Sequence, residues 1–219
     1  MSIKRFVTGA VAAGLLGLTP IALAAAPAQA ATPSATAIAG QISKSKTEYG
    51  DSFYISGNVQ SEFGYPTGTL TLSRKLAGES SYKVVGTDTS PGYFWFDLKA
   101  AGNATYVLSF SGGSDSQYDY QPSSISTKQS VFRKVTVKTN SRTMTAKGKV
   151  TPSFGKKKIL VQIKKGGWKT FKRVKTDKAG KYSVRLPGKR GKGNKYRLVI
   201  KADKRFVTNN YHTITSRIY

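Results

Sequence analysis

The 219-residue sequence has no cysteine, a single histidine and ten carboxylate side chains. Each shortage excludes chemistry. Without cysteine there is no disulfide, no thiol nucleophile and no sulfur ligand for a metal. With His212 the sole imidazole, a zinc site built from several His or Cys ligands is excluded. No base and orienting partner can be named around a nucleophile, and no Gly-x-Ser-x-Gly elbow occurs. Gly188-Lys189-Arg190-Gly191-Lys192-Gly193 has the glycines of a phosphate-cradling loop but neither its spacing nor a following helix, so it reads as a basic hairpin turn. Asp115 and Asp119 could approach a cation, yet too few oxygen ligands surround them, and a polar loop between strands is the better reading. The residues thus point to a protein without catalytic group, metal or cofactor.

Long apolar runs are scarce as well. One opens the chain: Lys4 and Arg5 form a basic head, Phe6 to Leu18 is apolar and small, Pro20 interrupts, and Ala28-Gln29-Ala30 fits a small-x-small cleavage site. Residues 1–30 are therefore expected to be a signal peptide, with the mature chain starting at Ala31. Phe6 to Ala26 is just long enough to cross a bilayer uncleaved, but the basic head and cleavage site favour removal. The expected location is extracellular, with non-covalent association to the cell wall.

What the sequence does contain is alternation, and it contains it twice. Phe53-Tyr54-Ile55-Ser56-Gly57-Asn58-Val59 matches Met144-Thr145-Ala146-Lys147-Gly148-Lys149-Val150. Leu70-Thr71-Leu72 matches Ile159-Leu160-Val161, and Thr87-Asp88 with Gly92-Tyr93-Phe94 matches Thr176-Asp177 with Gly180-Lys181-Tyr182. Tyr106 to Phe110 matches Tyr196 to Ile200, and all offsets are close to 90 residues. Each copy offers about seven short strands, the number expected of an immunoglobulin-like sandwich. In the first they fall near 45–49, 51–59, 68–75, 81–87, 92–98, 104–112 and 123–130, and in the second near 134–138, 143–150, 157–164, 168–176, 180–187, 195–202 and 211–218. Ala31 to Ile38 is expected to be a mobile lead. Phe171 and Val174, three apart, cannot both face inward on a regular strand, so a bulge is expected between them.

Tyr49-Gly50-Asp51-Ser52-Phe53 running into Ser56-Gly57-Asn58-Val59 resembles the opening of bacterial Ig-like repeat domains of secreted actinobacterial proteins. So does the second copy, through Gly148-Lys149-Val150-Thr151-Pro152, Trp168, Thr176-Asp177, Gly180-Lys181-Tyr182 and Tyr196-Arg197. The resemblance implies an all-β chain of two tandem immunoglobulin-like β-sandwich domains, 31–130 and 131–219, following the signal peptide. It also implies a spacer, adhesion or accessory binding role without catalysis. Unlike in such proteins, no larger domain for the repeats to serve is expected here.

The copies differ in charge. Residues 31–130 hold 7 Lys/Arg and 8 Asp/Glu, whereas 131–219 hold 27 and 2. Self-repulsion on that scale opposes folding, and its confinement to one of two related copies points to a polyanionic partner. Alternation turns Lys147, Lys149, Lys181 and Arg185 outward on two strands expected to be neighbours. Arg197 and Lys201 are expected to face out beside Lys164 on the other sheet, and Lys156, Lys157, Lys158, Lys189, Arg190 and Lys192 occupy turns. Lys outnumbers Arg, so point-charge attraction is favoured over bidentate phosphate recognition. The expected ligand is an anionic cell-envelope polymer: a teichoic acid, an acidic polysaccharide or an anionic lipid surface. Nucleic-acid motifs are absent, so any DNA binding is expected to ignore sequence.

In the first copy, Tyr93 and Trp95 alternate outward with Tyr54 on the neighbouring strand. The three rings could form a flat stacking platform for sugar, which makes a carbohydrate-binding module the alternative reading; a structural surface spacer is a third. Tyr106 and Tyr196 each open a strand where the hydroxyl can turn back to the backbone, and Trp168 reads as core or sheet edge.

Overall fold

The computed structural model describes residues 30–152 and 154–218. The expected signal peptide lies outside the described residues up to Gln29, as does the side chain of His212. The described chain is all-β. Its first half forms β1 (Thr32–Ser34), β2 (Thr36–Ile42), β3 (Lys46–Glu48), β4 (Ser52–Ser61), β5 (Leu70–Leu76), β6 (Lys83–Asp88), β7 (Phe94–Lys99), β8 (Ala104–Phe110), β9 (Gly113–Ser114), β10 (Tyr118–Tyr120) and β11 (Ser123–Phe132). The second forms β12 (Lys134–Asn140), β13 (Thr145–Thr151), β14 (Lys158–Lys165), β15 (Gly167–Lys175), β16 (Lys181–Arg185), β17 (Lys189–Arg190), β18 (Asn194–Ile200) and β19 (Asn209–Ile218).

The strand order repeats. A three-stranded sheet β2-β4-β7 in the first half corresponds to β12-β13-β16 in the second. The five-stranded sheets β3-β11-β8-β5-β6 and β15-β14-β18-β19-β17 correspond in four strands, while the fifth differs, β3 preceding β4 and β17 following β16. The correspondence extends to register, because Gly57 pairs with Phe94 as Gly148 pairs with Tyr182. Both glycines are required for the same reason. A Cβ on Gly57 would drive into the Ala39 carbonyl, and one on Gly148 into the Thr136 carbonyl, each on the adjacent strand. Alternation then fills two cores. Phe53, Ile55 and Val59 meet Leu70, Leu72, Tyr106 and Leu108 in the first, and Ala146 and Val150 meet Ile159, Val161, Tyr196 and Leu198 in the second.

One expectation needs correction. The lead is not mobile: Thr32–Ser34 pairs in parallel with β10, and β2 pairs along its whole length with β4. It lacks a strong apolar pattern, with only Ile38 and Ile42 packing on the core, but it supplies the partner that the β4 edge requires. The strand placed near 45–49 is β3, and it pairs in parallel with β11. The bulge in β15 falls at Phe171, where the register with β14 shifts between Val161 and Gln162. Val174 is thereby buried, while Phe171 lies edge-on to the Tyr196 ring at 5.2 Å.

The halves meet at Arg133, which is 3% exposed. Its guanidinium donates to Asp203 Oδ2 at 2.7 Å and to the Pro152 carbonyl at 3.1 Å, and lies over the rings of Phe206 and Phe154. Phe206 comes from the loop between β18 and β19, yet its ring is buried in the first core against Tyr49. The same loop is tied down by Val207 N–H to the Val131 carbonyl and by Asn103 N–H to the Arg205 carbonyl. The partial burial of Asp203 favours its neutral form, but the hydrogen bond and charge of Arg133, the Arg205 N–H and Lys157 outweigh that and hold its pKa below the ordinary carboxylate range.

Candidate functional site

The outer face of the β12-β13-β16 sheet is cationic. Val135, Ala146, Val150, Tyr182 and Val184 point into the core, so their neighbours Lys134, Lys138, Lys147, Lys149, Lys181 and Arg185 point out. Register places lysines directly opposite one another. Lys138 faces Lys147, and Lys149 faces Lys181. A third such pair, Lys158 and Lys175, lies on β14 and β15. Like charges directly opposite across a sheet are destabilising, and three pairs repeat that cost. On this side an open groove of about 600 Å³ runs over the Gly148 backbone, lined by Lys138, Lys147, Lys149 and Lys181 with Asp177 at its edge. Lysine stems present apolar sides while their ammonium groups stay in water. Beneath the groove Tyr182 donates its hydroxyl to the Thr136 carbonyl at 2.9 Å, and burial pushes that phenol far above its ordinary value.

The second half has two carboxylates, and both are occupied. Asp177 Oδ1 accepts the backbone N–H groups of Ala179 and Lys181, each at 2.8 Å, fixing the turn that leads into β16. Asp203 serves the joint. Lys134 is paired with Glu48 at 3.6 Å. Among the described residues, no ion pair forms at Lys138, Lys147, Lys149, Lys181 or Arg185.

The other predicted cations are dispersed. Lys156, Lys157 and Lys158 are exposed in the turn before and the start of β14, with Lys157 reaching Asp203 at 3.5 Å. Arg197 is not an exposed charge: it is half-buried, donates to Gln162 at 2.7 Å and stacks on Trp168 at 4.5 Å, leaving Trp168 half-buried on an edge strand. Lys201 does not lie beside Lys164. It falls beyond the end of β18, whereas Lys164 sits at the opposite end of that strand pair, past the Ile163–Tyr196 partners. The basic loop is not a hairpin turn either. Lys189 and Arg190 form β17, parallel to Arg217 and Ile218, so that Arg190, Lys192 and Arg217 surround one shallow depression. Sequence reasoning missed Lys138 and Arg217. Lys138 alternates with Val135 and Val137, which signals its outward direction; Arg217 joins the loop through a non-local pairing that carries no sequence signal.

In the first half the three predicted rings do not form one flat platform. Tyr54 and Trp95 stack on each other at 3.8 Å, and Trp95 donates its indole N–H to Asp97 at 3.1 Å. Tyr93 joins instead with Tyr65, which donates to its hydroxyl at 2.6 Å. The reason is diagonal geometry: Tyr54 lies opposite Asp97 and Trp95 opposite Ser56, so the two rings lean across the strands. Tyr196 donates its hydroxyl to the Pro187 carbonyl at 2.8 Å. Tyr106 is buried beside Arg74, and burial raises its pKa against the opposing guanidinium charge.

No family model matches the chain, and no curated protein does. Among solved structures it is similar to a DUF4785-family protein of Legionella pneumophila, at 12% identity and a TM-score of 0.47, over 84% of this chain and 57% of that one. It is also similar to Salmonella alpha-2-macroglobulin reacted with methylamine, at 13% identity and a TM-score of 0.32, over 83% of this chain and 16% of that one. Fibronectin(III)-like modules of Clostridium thermocellum CbhA align at 14% identity and a TM-score of 0.29, over 83% of this chain and 94% of theirs. The aligned region thus spans little more than half of the Legionella protein and a small part of the macroglobulin.

Proposed function

We propose that this is an exported, non-enzymatic binding protein made of two tandem immunoglobulin-like sandwiches, akin to the Ig-like repeats of secreted actinobacterial proteins. Its basic half holds an anionic cell-envelope polymer, and its near-neutral half is joined to it as a fixed body. The observation that carries this reading is the set of lysine pairs facing each other across the β12-β13-β16 sheet, none of them held in an ion pair among the described residues. A surface serving solubility alone has no reason to place like charges in direct opposition, whereas a strand of phosphates or carboxylates laid over them relieves the repulsion. Along a strand, outward residues recur at roughly 7 Å, and neighbouring strands lie about 4.8 Å apart. This lattice of ammonium groups suits a flexible, repeating polyanion such as a teichoic acid. Lysine point charges impose little orientation, so DNA is bound without regard to sequence.

Co-sedimentation with purified cell walls, before and after removal of teichoic acid, tests the reading across a salt series. Capture that depends on the acid polymer is expected. With about 6–10 anionic contacts and a slope of about 0.7 per contact for a single-stranded polyanion, affinity falls by roughly two and a half to four decades between 50 and 200 mM salt. Capture that ignores both salt and polymer refutes it.

A further inference from the structure

The aromatic face of the first half and the lysine face of the second are the same surface in the repeat. Tyr54, Ser56 and Asn58 on β4 correspond to Thr145, Lys147 and Lys149 on β13. Tyr93, Trp95 and Asp97 at β7 correspond to Lys181, Ser183 and Arg185 at β16. One copy offers cations, and the other offers rings, an amide and a carboxylate. We infer that this second face is a binding site for a neutral, β-linked glycan, distinct from the polyanion site and independent of it.

Four rings fall into two pairs on this face. Tyr54 and Trp95 make one stacked pair, Tyr93 and Tyr65 the other, with ring centroids at 3.8 and 5.2 Å. Tyr93 is 73% exposed, Trp95 57% and Tyr65 51%, far more than rings packed in a core. They are nonetheless held in place. Trp95 is fixed by Asp97 and Tyr93 by the Tyr65 hydroxyl, while Gly92 has no side chain to displace the Tyr65 ring, whose nearest atom would be 3.2 Å from a Cβ there. Rings that are exposed and already immobilised lose little freedom on binding. From Tyr54 to Asn58 the strand covers roughly 14 Å at about 3.4 Å per residue, the length of two to three sugar rings.

The occupant follows from what lies beside the rings. Asn58 and Asp97 offer hydrogen-bonding groups next to exposed ring faces, the combination that matches a pyranose, with its apolar C–H face and its rim of hydroxyls. A β-linked chain is a flat ribbon, and it meets a flat sheet face along its length. The Asp97 carboxylate, opposite Tyr54 at one end of the face, disfavours an anionic sugar. The ring area is also small and interrupted by polar groups, unlike the continuous apolar centre of a protein interface.

Intrinsic fluorescence of the full chain, titrated with cellohexaose and with chitohexaose in 0.5 M NaCl, tests this. The salt silences the lysine face, and the uncharged probes give it nothing to bind. A saturable change in emission is expected with at least one hexasaccharide, unaffected by Trp168→Phe and weakened at least tenfold by Tyr93→Ala. Because Tyr93 projects into solvent, its loss leaves the thermal transition in place, which confirms that the variant is folded. No change with either sugar overturns the inference, as does an equal change in Tyr93→Ala. Sugar-independent self-association lost in Tyr93→Ala would assign the face to a second copy of the chain and also overturn it. Each outcome is separate from the wall-binding result, since lysine variants leave the sugar signal intact.

Discussion

Replacing Lys149 by Glu should make the protein more stable and less able to bind. Lys149 faces Lys181 directly, and its neighbours Lys147 and Lys138 form the adjacent like-charged pair. The substitution removes one repulsive contact and creates an attractive one, each on the order of 0.2–1 kcal/mol. Exposure to solvent keeps the gain in the lower part of that range, so about 0.5–1.5 kcal/mol is expected, or roughly 1–6 °C in Tm for a chain of this length. In 1 M salt the Debye length is about 3 Å and the gain should largely vanish. Binding moves the other way. With inorganic polyphosphate as probe, each lost contact is worth roughly fivefold in affinity at 0.1 M salt, taking a slope of about 0.7 per contact for a single-stranded polyanion. A reversed charge should cost more than one contact. Thermal unfolding followed by circular dichroism, and anisotropy of labelled polyphosphate, would be measured on the same samples. A variant that is destabilised at low salt, or that binds polyphosphate as tightly as the parent, refutes the reasoning.

Three further outcomes are expected. Phe206→Ala removes a fully buried ring from the first core and should cost about 3–5 kcal/mol there; calorimetry should show one cooperative transition splitting into two. The joint should also loosen in acid. The folded pKa of Asp203 lies below its unfolded value of about 3.9, so its stabilising contribution is complete above that value and is lost as pH falls through the folded one. An acid titration should therefore reveal uncoupling of the halves below about pH 4, and Asp203→Asn should show it already at neutral pH. Gly148→Ala forces a Cβ into the Thr136 carbonyl and against the Tyr182 hydroxyl, and should destabilise by about 1–3 kcal/mol in chemical denaturation.

Much of this was legible in the residues because alternation is a local signal. Phe53-x-Ile55 and Ile159-x-Val161-x-Ile163 announce their strands and buried faces without reference to anything distant. The outward lysines on β13 and β16 follow from the same alternation. The unread parts depend on pairings between remote segments. β2 has a weak pattern of its own and is a strand because β4 needs a partner. Phe206 follows Asp203-Lys204-Arg205 in a polar loop, and nothing nearby signals that its ring closes the core of the other half. Lys201 was misplaced because alternation was carried past the end of β18, where the strand stops. The Tyr54–Trp95 stack was missed because alternation gives direction from the sheet and not lean across it.

Phe206 also bears on the order in which the molecule is completed. A chain emerges from its N-terminal end, so the first half is synthesised while its core still lacks this ring. The ring arrives only with the last loop of the second half. Any product truncated before that loop is consequently left with an unstoppered interior that quality-control proteases can recognise, and finishing one half becomes conditional on finishing the other.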